Sequence, residues 1–257
     1  PLDKWNVSNV KKMDSMLEDC HQFNQNLNNW DISLVDDISE MFSECINFNQ
    51  PLDKWNVGNV ENMCYIFEKC EKFNQPLDNW DVKNVKNMSG MFIYCSIFDQ
   101  YLNSWNISNV TDINYMFAGC ELFNQPLDNW DVSNVEDINN MFKGCKNFNQ
   151  NLNGWQLSNI EDISEMFINC ENFNYPLDNW DVSNVVEMMG MFKGCRNFNQ
   201  NLNNWKLSNI EDISEMFINC ENFNYPLDKW DVFYIERKED MFINCKLKKE
   251  FYPKNYN

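Results

Sequence analysis

The sequence predicts an α/β solenoid, a stack of ten coils that each contain a short parallel strand and a short helix. The first observation is the repeat length, because ten segments of 25 residues align without insertion or deletion. The second is the shared pattern L-x-x-W-x-V-S-N-V-x-x-M-x-x-M-F-x-x-C-x-x-F-N-Q, in which the apolar residues keep their places. One such unit cannot close a core alone, whereas stacked units bury each other's apolar faces.

The ten coils, numbered from the N-terminus, form one predicted domain over residues 1–250. No linker rich in Pro, Gly or Ser interrupts the repeats in the chain of 257 residues. The coils are residues 1–25, 26–50, 51–75, 76–100, 101–125, 126–150, 151–175, 176–200, 201–225 and 226–250.

The hydrophobic period changes within each coil, and this change predicts the secondary structure. In coil 7, Trp155 and Leu157 lie two residues apart, as on one face of a strand. From Ile160 the apolar residues follow at spacings of 3, 3, 1 and 3, which predicts a helix of about ten residues. Strands that recur once per coil pair in parallel at about 4.8 Å. Because the helical side is wider, we expect the strands on a concave surface.

Nine positions in each coil are predicted to point inward. In coil 3 they are Leu52, Trp55, Val57, Val60, Met63, Ile66, Phe67, Cys70 and Phe73. The Trp column has a second interpretation, as an exposed aromatic platform for sugar rings. Each Trp shares its parity with the apolar residue two positions later, and such a stripe left in water promotes aggregation, so we expect burial.

Ten of the eleven cysteines occupy one repeat position, which favours a ladder of buried, reduced thiols. They are Cys20, Cys45, Cys70, Cys95, Cys120, Cys145, Cys170, Cys195, Cys220 and Cys245. Their spacing matches no zinc or haem motif, and free Cys packs as a small hydrophobe. Stacked disulfides or a metal wire are the alternatives. Cys64 lies outside the ladder and is predicted to be exposed.

Asparagine recurs at two turns of the coil, and we expect its side chains to form ladders there. One column follows the predicted strand, and the other precedes the next strand. Examples of the two columns are Asn59 and Asn84, and Asn49 and Asn74. Side-chain amides at these turns can satisfy backbone groups that no strand partner reaches.

Charge and composition exclude several functions. A net charge of −19 and a pI near 4.3 repel nucleic acid and anionic membranes. No apolar run approaches the roughly 20 residues of a membrane helix. His21 is the only histidine and no nucleotide or metalloprotease motif occurs, so we expect neither an enzyme nor a cofactor. Asp128 and Asp131 recur as an acidic pair, but their spacing fits no calcium loop, and we expect a solvated surface without metal.

A family resemblance rests on the run F-N-Q-P-L-D-N-W-D-V-S-N-V at residues 123–135, followed by M-F-x-x-C. This pattern resembles the BspA-like leucine-rich-repeat surface proteins, in the subgroup with repeats of this length, and covers residues 1–245. The resemblance implies a right-handed, leucine-rich-repeat-like solenoid used for adhesion or protein binding. It also implies a location at a bacterial, protist or virion surface, and no catalytic residues.

The two ends depart from the repeat. Lys238 and Lys248 replace apolar residues, Tyr234 replaces Asn, and residues 236–257 are predicted to form a C-terminal cap. A basic docking tail is the alternative. The first coil stays close to the pattern, which predicts that further repeats or a cap precede Pro1.

The predicted function is a non-enzymatic scaffold for protein binding or surface attachment, with a glycan-binding module or a self-associating shell as alternatives. The binding face is predicted at the outward positions that flank each Trp. Its residues are Asn79, Asp81, Lys83, Asn129, Asp131, Gln156, Asn179, Asp181, Asn204 and Lys206.

Overall fold

The computed structural model describes residues 2–256, which form a stack of coils in register. Isolated parallel β-bridges join the twelfth residue of one coil to the twelfth residue of the next. They are Lys12↔Asp37, Asp37↔Asn62, Asn62↔Asn87, Asn87↔Asp112, Asp112↔Asp137, Asp162↔Glu187, Glu187↔Asp212 and Asp212↔Arg237. The tandem stack is therefore confirmed.

Backbone hydrogen bonds at positions 12 to 19 join each coil to the next, and we call them the polar ladder. Backbone N–H groups at positions 13, 15, 17 and 19 donate to carbonyls at positions 12, 14, 16 and 18 of the next coil. In coil 3 the donors are Met63, Tyr65, Phe67 and Lys69, and the acceptors are Asn87, Ser89, Met91 and Ile93, at N···O distances of 2.8–3.1 Å. In this segment the carbonyls face the preceding coil and the N–H groups face the following coil.

The predicted helix is wrong. In coil 7 its span consists of consecutive turns, with Cys170 N donating to Phe167 O at 2.9 Å. Glu165 and Asn169 have φ of 53° and 60°, which an α-helix does not contain. Turns of four residues also bring every third side chain to one face, so the apolar spacing suits both structures. Within residues 2–256 the sole helix is a 3₁₀ turn at Lys249–Phe251, and no helix there has the length and apolar character to cross a membrane.

The predicted strand is also displaced. Trp155 and Leu157 do point inward, but they lie in turns, since Trp155 N donates to Leu152 O at 3.0 Å and Ile160 N to Leu157 O at 3.3 Å. Parallel pairing occurs instead at position 12, within the segment predicted as helix. The right-handed winding and the concave surface stay predictions, and the expected wide helical side is absent from the described coils.

The nine inward columns are confirmed. All nine residues of coil 3 are at most 4% exposed. The two Phe columns stack, with the Phe67 and Phe73 rings 4.1 Å apart within the coil and Phe67 and Phe92 5.7 Å apart between coils. Each large side chain contributes roughly 1.5–3 kcal/mol on burial, so the interior dominates the stability.

Nine tryptophans are buried, which rules out a continuous sugar platform. They are 1–5% exposed, and each indole N–H donates to a Leu carbonyl of the preceding coil at 2.8–3.1 Å. Trp130, for example, donates to Leu102 O. Trp5 has no preceding coil within the described chain and is 54% exposed.

Eight cysteines form the expected buried ladder. Each thiol lies 2.9–3.2 Å from the carbonyl of position 17 in the preceding coil, as Cys120 does from Phe92 O. All eleven cysteines are free, so the disulfide alternative is wrong. Cys20 is exposed and Cys245 half-buried at the two ends, contrary to the prediction. Cys64 is half-buried and not exposed, and burial raises the pKa of its thiol.

Both Asn ladders are confirmed. Side-chain amides at position 9 donate to the position 8 carbonyl of the preceding coil at 2.6–2.7 Å, as Asn59 Nδ2 does to Ser33 O. At position 24 of coils 1 to 8 the side-chain oxygen accepts the position 24 backbone N–H of the next coil, as Asn49 Oδ1 does from Asn74. These side chains form hydrogen bonds to backbone groups of neighbouring coils. Together with the buried columns they form the part of the stack that we call the frame.

The C-terminal residues cover the last coil. Tyr252 packs on Phe242 with ring centroids 4.5 Å apart, and Lys254 N donates to Trp230 O at 2.9 Å. Lys238, which replaces an apolar residue, donates through Nζ to Val232 O at 2.7 Å. Its ammonium group thus bonds a backbone carbonyl at the end of the stack.

Candidate functional site

The ten residues of the predicted binding face are all exposed, and together they are named the outward row. They are Asn79, Asp81, Lys83, Asn129, Asp131, Gln156, Asn179, Asp181, Asn204 and Lys206. The members at positions 4 and 8 lie in turns, and those at position 6 lie between the two turns, so none of them is on a strand. The inward and outward assignment is therefore right, while the backbone structure assigned to the row is wrong.

Local hydrogen bonds hold the acidic members of the outward row. Asp131 Oδ1 accepts the backbone N–H of Ser133 at 3.1 Å, and Asp181 Oδ1 accepts that of Ser183 at 3.0 Å. Hydrogen bonds from these serines, through side chain and backbone, lower the pKa of both carboxyl groups. Both side chains therefore carry negative charge beside a turn that is fixed by the frame.

At the C-terminal end the outward row runs into a groove of about 1150 Å³ that crosses coils 7 to 10. Asn204 and Lys206 line it, together with Asn184, Asn209 and Asp231. Lys229 Nζ donates to Asn204 Oδ1 at 2.9 Å across two of these coils. We call this feature the C-terminal groove.

An exposed aromatic pair stands at the C-terminal groove. Tyr234, one of the lining residues, is 90% exposed, and the neighbouring Phe233 is 60% exposed. Their rings are nearly perpendicular, at 87°, with centroids 4.9 Å apart. Sequence reasoning noted Tyr234 as a departure from the repeat next to the predicted cap and overlooked Phe233. The signal in the sequence was that Phe233 and Tyr234 replace the Ser-Asn pair of the repeat at two positions that face solvent.

A column of carboxylates follows the β-bridges on the polar ladder. Five consecutive coils carry Asp112, Asp137, Asp162, Glu187 and Asp212 at position 12. Arg237 closes the column, with Nε 2.8 Å from Asp212 Oδ2 and Nη2 2.6 Å from Glu187 Oε1. Burial, followed by the charge of Asp137, raises the pKa of Asp112. The arginine thus compensates like charges that the stack brings together.

One group of three metal-ligating side chains occurs among residues 2–256. Ligand atoms of Asp19, His21 and Glu44 lie within 4.8 Å of one another at an exposed corner of coils 1 and 2. Lys69 Nζ already lies 2.5 Å from Glu44 Oε1, and this hydrogen bond lowers the pKa of the Glu44 carboxyl group. Asp128 belongs to no such group in that range. The lysine therefore supplies the counter-charge at this corner.

Together the stack and its polar outer surface define a tandem-repeat protein with a buried frame and a variable exterior. The family model described as "Mycoplasma protein of unknown function, DUF285" matches residues 1–92, 65–170 and 147–254. These matches span almost the whole chain, which therefore belongs to this family. A search of curated proteins finds no match to the chain.

Proposed function

We propose that this protein is a non-enzymatic scaffold that binds a partner protein through the outward row, at a cell or virion surface. The surface location and the adhesive role come from the resemblance to BspA-like leucine-rich-repeat proteins. The family match supports a tandem-repeat protein, while the BspA-like assignment rests on the resemblance alone.

A comparison of two nearly identical coils carries the proposal. Residues 151–175 and 201–225 differ at two positions, Gly154 against Asn204 and Gln156 against Lys206. All four residues are exposed, and both positions flank the buried Trp. Change in these coils is therefore confined to the surface that we assign to binding.

The frame explains why the outward row can vary with little loss of stability. Its members flank a buried Trp column and make exposed local hydrogen bonds, such as Asp131 Oδ1 from Ser133 N and Asn79 Nδ2 to Asp53 O. Loss of one such bond costs about 0.5–1.5 kcal/mol, which is small beside the contribution of the buried columns. Binding residues carried by a rigid scaffold are a common arrangement.

Charge reversal on the outward row tests the proposal. Asp131→Lys with Asp181→Lys should weaken partner binding about tenfold or more, because a partner surface that complements negative charge at these sites is repelled by positive charge there. The measurement is capture of proteins from native material by immobilised protein, with mass spectrometry and then titration of the captured partner. A cooperative melting transition establishes that the variant is folded, because loss of the bonds to Ser133 and Ser183 lowers the melting temperature only slightly.

The matched control is Glu71→Lys with Glu136→Lys, which makes the same change in net charge at exposed sites outside the row and the C-terminal groove. We expect its binding to equal that of the wild type. Loss of binding in this control, with binding retained in the row variant, would move the binding surface elsewhere. Capture of the chain by itself would instead favour a self-associating shell.

A further inference from the structure

The aromatic pair beside the C-terminal groove replaces residues that serve the frame. In seven coils the residue at position 9 is an Asn that donates to the preceding coil, ending with Asn209 Nδ2 to Ser183 O at 2.6 Å. Tyr234 occupies this position in coil 10 and cannot make the bond to Ser208 O. The last coil gives up a ladder hydrogen bond and exposes a large ring to water, and the frame gains nothing from it.

The turn that carries the pair is held on both sides. Lys238 Nζ donates to Val232 O at 2.7 Å and to Ile235 O at 3.1 Å, which brackets Phe233 and Tyr234. Asp231 Oδ1 accepts Phe233 N at 3.1 Å. The rings are therefore presented on a braced turn, and little ordering remains to be done when a ligand binds.

We propose that the C-terminal groove binds a neutral oligosaccharide, with one sugar ring lying on Tyr234. This function is additional to protein binding by the outward row. An exposed phenol ring offers a flat apolar face and a polar hydroxyl group. The C–H face of a sugar ring packs on such a surface, and its hydroxyl groups need donors and acceptors around the rim.

The lining of the C-terminal groove supplies those donors and acceptors. Short amide, hydroxyl and carboxylate side chains line it, among them Asn203, Asn204, Ser208 and Asp231. Asn184 and Asn209 bond the preceding coil through Nδ2 and offer their side-chain oxygens as acceptors. Of the apolar lining residues, Trp205, Ile210 and Ile235 are buried, and Val186 and Leu207 are half-buried. Tyr234 is thus the one fully exposed aromatic residue of the lining, and most of the other exposed lining side chains are polar, which suits a sugar better than an amphipathic helix.

Charge selects the class of sugar. Four acidic residues and two lysines line the C-terminal groove. They are Glu161, Glu211, Asp231, Glu236, Lys206 and Lys229. With a net charge of −19 on the whole chain, sulfated or sialylated chains are repelled. A span of four coils, each about 4.8 Å from the next, accommodates several linked rings.

Leu34 is the other residue that replaces Asn at position 9. It interrupts the same Asn column in coil 2 and is also exposed, but it has no aromatic face and does not line the C-terminal groove. Loss of the Asn ladder alone therefore does not create the feature. Tyr234 combines the exposed ring with a polar groove beside it.

The test uses the full chain and named probes. Maltotetraose, cellotetraose and tri-N-acetylchitotriose are titrated by calorimetry and ligand-observed NMR, with a heparin tetrasaccharide as the anionic probe. We expect at least one neutral probe to bind and heparin not to bind. Tyr234→Asn restores the repeat residue, so its melting temperature should equal or exceed that of the wild type, while affinity falls at least tenfold.

Tyr225→Ala is the control, because Tyr225 is 40% exposed and lies outside the C-terminal groove. It should bind the sugar as the wild type does. The proposal is overturned if no neutral probe binds, if heparin alone binds, or if Tyr234→Asn retains full affinity. It also falls if Tyr234→Asn impairs only the capture of a protein. The Asp131 and Asp181 variants lie outside the groove, so failure of either proposal is seen separately.

Discussion

The ladder of eight buried thiols should make the folded stack sensitive to alkaline pH. Burial raises the pKa of Cys45 to about 12, and burial also raises the pKa of the other seven thiols well above the ordinary value. In the unfolded chain a thiol has a pKa of about 8.5. The stabilising contribution is therefore complete below this pH and is lost as the pH rises toward the folded-state pKa.

The size of the effect follows from proton linkage. Between roughly pH 9.5 and 11 the unfolded chain has released the eight protons, and the folded stack has kept them. Each thiol then lowers the free energy of unfolding by about 1.4 kcal/mol per pH unit, and eight thiols lower it by roughly 11 kcal/mol per pH unit. Domains are typically stable by about 5–15 kcal/mol, so unfolding is expected within one or two pH units. A stack that unfolds in segments shows a smaller slope for each segment.

Urea unfolding between pH 8 and 10.5, with a reductant present, measures this slope. Cys120→Ala removes one buried thiol and its bond to Phe92 O, so it should cost about 1–3 kcal/mol at pH 8. It should also reduce the alkaline slope by about 1.4 kcal/mol per pH unit. The exposed Cys20→Ala is the control and should leave the slope unchanged. A wild-type slope in Cys120→Ala would refute the reasoning.

Three other predictions test the arrangement of the coils. Trp130→Ala should cost about 3–5 kcal/mol in urea unfolding, whereas Trp5→Ala at the same repeat position, and Asn129→Ala beside Trp130, should each cost under about 1 kcal/mol; equal costs would contradict the burial pattern. Iodide should quench roughly a tenth of the tryptophan emission, and Trp5→Phe should abolish this quenching; extensive quenching in that variant would mean that buried indoles are accessible. A polar alkylating reagent should modify Cys20 first and Cys64 more slowly, as followed by intact mass, and rapid modification of several thiols would exclude the buried ladder.

The side-chain columns were predictable from the sequence because repetition samples each position ten times. The inward set of coil 3, the buried Trp column and both Asn ladders all agree with the structure. The backbone was not predicted correctly, because the spacing of apolar residues from Ile160 onward suits successive turns as well as a helix. Burial depends on which side chains face inward, and several backbone paths satisfy the same requirement.

A second signal in the sequence distinguishes the two backbone paths. Five of the seven glycines stand at positions 15 and 19, where the left-handed conformation occurs. They are Gly90, Gly119, Gly144, Gly190 and Gly194, with φ between 57° and 78°. Asn169 and Asn219 also stand at position 19 and also have positive φ. Glycine inside a helix costs about 1 kcal/mol, and Gly and Asn are the residues that favour positive φ. Their recurrence inside the predicted helix indicates turns.

The candidate sites were only partly predictable for a related reason. The outward row follows from the alternation of inward and outward residues around each Trp. The C-terminal groove instead depends on how coils 7 to 10 lie next to one another. Phe233 and Tyr234 each occur at their position in one coil only, so a pattern shared by ten coils does not record them. Their exposure and the lost Asn bond become visible only when the preceding coil is in place.

The N–H groups of the polar ladder all point the same way along the stack, which gives its two ends opposite partial charges. Four peptide groups per coil point their N–H bonds toward the C-terminus, so their dipoles add along the stack as they do along a helix. In the first described coil the carbonyls at positions 12, 14, 16 and 18 point away from the second coil, in a segment that begins with Lys11 and Lys12. At the other end, the Lys238 N–H has no following coil among the described residues and donates to Glu239 Oε2 at 3.0 Å. An acid is the charge that the donor end of such a dipole favours. Arg237 and Lys238 place cations at the same end, where Arg237 pairs with Glu187 and Asp212 and Lys238 Nζ bonds two backbone carbonyls. The carboxylate column and the turn of the last coil therefore determine the charges at this end more than the dipole does.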